Sequence, residues 1–136
     1  MKIYNHHAIL IDETYKNFNY KICLIDAGWF TCYIDVSESP IDFIEYNSID
    51  LNVWYGLTYS DFHYPWENTD NIDKWIIGWD YAHFEDFYET ELVKIIFGKT
   101  LNSTYGGNLR HTIPELIRSC EQAIEEIIDK GEELLI

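Results

Sequence analysis

Basic residues are scarce in this chain and almost missing from its middle. Between residues 35 and 91 there is one, Lys74, against fourteen acidic residues, a net charge of −13. The flanking segments add little: residues 1–34 are neutral and residues 92–136 sum to −2, out of −15 for the whole chain. A field this one-sided repels nucleic acid and anionic membranes and favours a basic partner or a cation. Simple solvation is the plain alternative use of the same charge.

Other absences narrow the class. No stretch is long and apolar enough to span a bilayer, and the start, MKIYNHHAILIDE, lacks the apolar run and small-residue site of a secretory leader. A cytoplasmic protein is therefore expected. Cys23, Cys32 and Cys120 lack metal-ligand spacing and sit in apolar surroundings, which predicts buried thiols; a Cys23–Cys32 bridge across a hairpin is the alternative. There is no His-Glu-x-x-His, no paired Cys-x-x-Cys and no Gly-x-Ser-x-Gly. Gly106-Gly107 is not followed by Lys-Ser or Lys-Thr, so it reads as a turn rather than a phosphate cradle. No repeat and no linker divides the 136 residues, which predicts one domain over 1–136.

What is present is an apolar and unusually aromatic chain: 47% hydrophobic and 17% aromatic, enough for a real core. Met1–Asp12 reads as a first strand and Lys16–Tyr20 as a turn. His6 and His7 are adjacent, so on a strand they point to opposite faces. Tyr20–Asp26 and Trp29–Val36 are rich in β-branched and aromatic residues around Ala27-Gly28, a hairpin pattern. Asp42–Tyr46 fits a helical turn or a short strand equally. Ile49–Tyr59 alternates in part, a strand pattern, and Trp75–Tyr81 is a strand by composition. Gly78 inside it predicts a bulge or a close backbone approach. Ser60–Asp73 reads as a loop, and Thr90–Phe97 as a short helix capped by Thr90 and stopped by Gly98. Ile113, Leu116, Ile117, Cys120, Ala123, Ile124, Ile127 and Ile128 form one stripe at helical spacing, predicting a helix over Thr112–Lys130. Thr112 and Glu115 make a capping box, and Gly131 is its expected stop. Strands first and a striped helix last predict an α+β fold, an antiparallel β-sheet covered by a C-terminal amphipathic helix.

The segments VWYGLTYS, WIIGWDYAHFED and HTIPELIRSCEQ, in that order, resemble a family of small bacteriophage and prophage proteins without an assigned activity. The matching positions are Val53, Gly56, Leu57, Thr58, Tyr59 and Ser60, then Gly78, Asp80, Ala82, His83 and Asp86, and finally Cys120 and Glu121. The family pattern has His, Gly and Cys where this chain has Trp54, Tyr55 and Tyr81, so any chemistry resting on those groups would be lost here. The resemblance covers about residues 30–130. It implies a virus-infected bacterial host and, by that context, an inhibitor of bacterial immunity such as an anti-CRISPR.

Three uses of the acidic, aromatic middle follow. The first is protein binding or nucleic-acid mimicry by Asp61, Tyr64, Trp66, Glu67, Asp70, Asp73, Glu85, Asp86 and Glu89, with aromatic anchors among steering charges. The expected partner is a basic protein of a bacterial immune system, such as a CRISPR effector, met in the cytoplasm of the bacterial host, with no membrane and no direct nucleic-acid contact. No cofactor is required. The second is a metal-dependent enzyme, with Asp80, His83 and Asp86 offering oxygen and imidazole ligands to Zn²⁺, Mg²⁺ or Mn²⁺. The third is a nucleotide-binding sponge, with Tyr and Trp stacking a base, which needs Arg110, Lys94 or Lys99 at the site to meet the phosphate. Against all three stands burial of the rings in the core, expected for Tyr55, Trp75 and Tyr81.

Overall fold

The computed structural model describes residues 1–39, 51–68, 73–101 and 106–134. Six strands, β1 (Lys2–Tyr4), β2 (His7–Tyr15), β3 (Phe18–Ile25), β4 (Phe30–Asp35), β5 (Tyr59–Asp61) and β6 (Ile76–Asp80), are followed by α1 (Thr90–Phe97) and α2 (Ile113–Leu134). The strands form one sheet in the order β1-β2-β3-β4-β6-β5, every neighbouring pair antiparallel. The fold is α+β, with the C-terminal helix packed on the sheet.

The period of two along the strands decides which residues meet α2. Phe18, Tyr20, Ile22 and Leu24 of β3, Phe30, Cys32 and Ile34 of β4, and Ile77 and Trp79 of β6 form the inner face. Leu116, Cys120, Ala123, Ile124 and Ile127 of α2 close that core, while Ile113, Ile117 and Ile128 flank it. Nearly complete burial of Leu116, Ile124 and Ile127 along one helix stabilises by about 1.5–3 kcal/mol each. The capping box is formed: the Thr112 amide meets Glu115 Oε2 at 3.2 Å and the Glu115 amide meets Thr112 Oγ1 at 3.4 Å. The helix runs past the expected stop, through a buried Gly131 to Leu134. α1 has Glu89 at its N-cap, not Thr90, and ends at Gly98 in the left-handed region, as expected.

Several local expectations give way. Met1–Asp12 is two strands, turned at Asn5-His6, where Asn5 has a φ of 49°. The Lys16-Asn17 turn is a two-residue hairpin loop with positive φ at both positions, the geometry that matches strand twist. Leu51–Thr58 forms no strand. Tyr55 and Gly56 both take positive φ, 59° and 80°, and the Gly56 amide donates back to the Val53 carbonyl. The chain turns there, and Leu51 is buried without a sheet partner. Asp42–Tyr46 and Asp70 lie outside the described residues.

All three thiols are free and buried. Cys23 registers with Thr31, and Cys32 with Ile22, so Cys23 and Cys32 lie on opposite faces of the sheet. That placement is why they do not bridge. Burial pushes the Cys23 thiol up to about 12.

The outer face has its own small core. Ile9, Cys23, Tyr33 and Ile76 project from it, and Tyr64 and Trp66 from the loop after β5 fold over them like a roof. Gly78 of β6 stands opposite Tyr33, whose ring lies flush on it: a methyl group at position 78 would sit 2.7 Å from Tyr33 Cδ1. The expected close backbone approach is therefore present, between strand and ring.

Candidate functional site

The sequence between β6 and α2 builds a chain of alternating carboxylates and imidazoles centred on Asp86. The Asp86 side chain is completely buried. Its Oδ2 accepts from the His83 amide at 3.0 Å, His83 Nδ1 at 3.2 Å and Trp54 Nε1 at 3.2 Å. Its Oδ1 faces His111 Nε2 at 2.6 Å. Burial pushes the carboxyl up, but the bonds from His111, the His83 amide, Trp54 and the His83 ring outweigh it and hold it below its usual range.

The chain continues outward at both ends. His111 Nδ1 lies 3.3 Å from Glu115 Oε2, so the capping-box carboxylate also meets the imidazole. His83 Nε2 lies 3.9 Å from Asp80 Oδ1, and Asp80 accepts from Thr58 Oγ1 at 3.0 Å and the Ala82 amide at 3.1 Å. Tyr55 stacks on His83 with ring centroids 3.7 Å apart and planes 7° apart, and its hydroxyl donates to Glu85. The backbone is pinned from a second strand-like segment: Phe87 donates to the Leu109 carbonyl, Leu109 to Glu85, and Gly107 to Asp86. Gly106-Gly107 is thus more than the expected turn, since it brings His111 back to Asp86.

This geometry suits structure and binding better than catalysis. Both nitrogens of His111 face carboxylates, so neither points a lone pair at a substrate. Thr58 donates directly to Asp80, with no imidazole between them. Asp80, His83 and Asp86 are brought together as the sequence suggests. Yet the nitrogens of His83 meet carboxylate oxygens, and both oxygens of Asp86 already accept N–H bonds. Among the described residues, no group of three or more His, Cys, Asp and Glu side chains is arranged to hold a metal ion.

The second cluster is the roof. Trp66 stacks on Tyr64 at 4.8 Å and on Tyr4 at 5.4 Å, and both Trp66 and Tyr64 meet Tyr33 edge-on. Glu67 locks the loop: it accepts from the Tyr64 amide at 2.7 Å and from Lys74 Nζ at 3.1 Å. Burial pushes its carboxyl up, but those two groups draw it below its usual range. Tyr59 and Asp61 alternate onto the same face, where Asp61 pairs with His63 at 3.4 Å. Burial raises the Tyr64 hydroxyl, and Asp35, Asp12 and Glu67 raise it further, while Lys21 and Lys74 lie over its ring at 5.2 and 4.6 Å.

Comparison of the chain with protein families, with curated proteins and with solved structures finds no match. The site must therefore be read from its own geometry.

That geometry divides the nine expected contact residues. Asp61, Trp66 and Glu67 gather at the roof, with Tyr64 buried beneath, and Asp73 is exposed at the end of the same loop. Glu85 lies with Tyr55 on the other cluster. Asp86 and Glu89 are corrections, being buried rather than presented: Glu89 is 3% exposed and gripped by Arg110 through two bonds of 2.9 and 3.1 Å. Their partners supply the reason, since a buried carboxylate is tolerated when hydrogen-bond donors satisfy it: four converge on Asp86, and the Arg110 guanidinium grips Glu89. Trp75 and Tyr81 are buried as expected, but Tyr55 is 54% exposed, held out by its positive φ. Sequence reasoning missed His111, and it named Arg110 only as a phosphate contact rather than as the partner of Glu89. The available signal was position: His111 immediately precedes the capping box, and an i,i+4 spacing joins it to Glu115.

Proposed function

We propose that the protein acts by binding, with the roof as its contact surface and a basic protein as its partner. The observation that carries this reading is the Tyr4–Trp66–Tyr64 ring stack with Asp61 and Glu67 beside it on the outer sheet face. Partly exposed aromatic anchors flanked by charge are what interfaces use for affinity and steering. The carboxylates spaced along this loop also suit imitation of a phosphate backbone. Taken with the sequence resemblance, this makes the protein a phage- or prophage-encoded inhibitor of a bacterial defence effector, anti-CRISPR in kind, working in the host cytoplasm. Among the described residues no helix is long and apolar enough to cross a membrane. A nucleotide sponge is less well supported, because Arg110 is held by Glu89 and Lys99 by Asp26.

The test is capture of partners from a CRISPR-bearing host at about 50 mM and about 500 mM salt, where screening differs strongly. A basic nucleic-acid-binding defence protein should be retained at low salt and largely released at high salt. Trp66→Ala should weaken capture by about 2 kcal/mol, or some 30-fold. Asp61→Lys should weaken it more than Glu132→Lys, an equal charge change on α2. No basic partner at either salt, or equal loss from the two lysine variants, would reject the roof as the contact surface.

A further inference from the structure

Beside the first turns of α2, away from the roof, the surface sinks into a cavity of about 270 Å³. Trp54, Tyr55, Tyr81, His111, Glu115 and Asn52 contribute to its walls. We propose that this cavity is a binding site for a small organic cation carrying a guanidinium group.

The aromatic wall is fixed before any ligand arrives. The Trp54 indole N–H is anchored to buried Asp86. Its ring stacks on Tyr81 at 6.4 Å with planes 10° apart, and meets His111 and Tyr55 edge-on, each at 5.3 Å. The Tyr81 hydroxyl is itself held, accepting from Trp79 Nε1 at 3.1 Å. A wall locked this way loses little freedom on binding, and π faces attract cations.

The one carboxylate among the described residues of the cavity wall is Glu115. None of the described lining residues is Lys or Arg, and nearby Arg110 is engaged with Glu89. Glu115 points its Oε2 at the Thr112 amide and at His111 Nδ1, while its Oε1 accepts no hydrogen bond from the described residues. The Glu115 side chain is 46% exposed, so that oxygen is reachable. The Asn52 side chain adds a neutral acceptor and donor. An anionic ligand would meet Glu115 and, behind His111, Asp86, with no Lys or Arg among the described lining residues to offset them.

Shape and size choose among cations. The cavity lies just under the range of about 300–1,000 Å³ typical of drug-sized ligands, so it suits a group of a few heavy atoms. A guanidinium is flat and weakly hydrated. It can lie along a ring and donate in its own plane to a carboxylate, which an ammonium cannot do.

The experiment titrates the isotope-labelled full chain with n-butylguanidinium and, separately, with n-butylurea, its uncharged match in shape. Proton–nitrogen correlation spectra follow the Trp54 indole N–H. The guanidinium should shift that resonance saturably and the urea should not. Glu115→Gln should weaken binding by about tenfold or more, the loss of one charge-assisted contact. Gln also serves in a capping box, so this variant keeps the helix start, which a thermal melt verifies. No saturable shift, an equal response to the urea, or unchanged affinity in Glu115→Gln would each overturn the proposal. Should the variant fail to fold, the guanidinium–urea comparison on the unaltered chain decides alone.

Discussion

Asp86→Ala is expected to lower the unfolding free energy by about 3–5 kcal/mol, the cost of breaking a buried charged network from one side. Domains of this size are stable by only about 5–15 kcal/mol, so the variant should be marginal or unfolded at ambient temperature. The reason lies in what alanine leaves behind. Trp54, the His83 amide, His83 Nδ1 and His111 Nε2 all converge on two oxygens, and none has another acceptor among the described residues. Asp86→Asn keeps the shape but turns one acceptor into a donor facing donors, and should cost about 2 kcal/mol. Urea denaturation measures both. Acid gives an independent reading. The folded Asp86 pKa is depressed, so its contribution is complete above the unfolded value of about 4 and is lost as pH falls through the folded one. Asp12, Asp26, Glu67 and Glu125 are depressed as well, so the variant should keep an acid transition but a shallower one. An acid slope in Asp86→Asn as steep as that of the unaltered protein would mean that Asp86 is not ionised in the folded state.

The contrast between what the sequence disclosed and what it hid follows contact distance along the chain. The α2 stripe, its capping box and the β3–β4 hairpin are local patterns, and local chemistry set each of them. The role of Asp86 and Glu89 was hidden because their counter-groups are distant in sequence: His111 is 25 positions from Asp86, and Arg110 is 21 from Glu89. A charge count over residues 35–91 treats both as surface charge, though partners beyond that window draw them inside. The Leu51–Tyr55 alternation misled for a related reason. Its apolar residues face the core from a chain that turns, and only the positive φ of Tyr55 and Gly56 distinguishes that from a strand. The residues that carry the phage resemblance fare differently. Thr58 donates to Asp80, His83 bonds to Asp86, and a 3.9 Å contact between Asp80 and His83 joins the two pairs into one row, while Tyr59 and Gly78 both meet Tyr33. Their spacing is thus accounted for by folding requirements, independently of the proposed contact surface and cavity.

Gly78→Ala carries the second large expectation, a loss of about 2–3 kcal/mol from overpacking between strands. The added methyl would lie 2.6 Å from the Cys32 carbonyl oxygen and 2.7 Å from Tyr33 Cδ1. The carbonyl belongs to the neighbouring strand and cannot swing away without breaking the β4–β6 ladder. The Tyr33 ring is boxed in by Tyr59, Tyr64, Trp66 and His7, with centroids 5.5 to 6.2 Å away, so it has no empty rotamer to enter. Relief must come from lifting the roof, which couples this substitution to the proposed contact surface. Melting temperature should fall, the near-ultraviolet circular dichroism of the Tyr33 cluster should change, and partner capture should drop with it. Gly56→Ala is the matched control. A methyl there meets nothing within 4 Å, and only its φ of 80° opposes it, a strain of about 1–2 kcal/mol. Gly56→Ala also leaves the outer sheet face untouched, so its near-ultraviolet signal from Tyr33 should persist. If Gly78→Ala instead leaves that signal intact and costs no more than the control, the ring does not lie flush on β6, and the roof is not the rigid platform that binding through Trp66 requires.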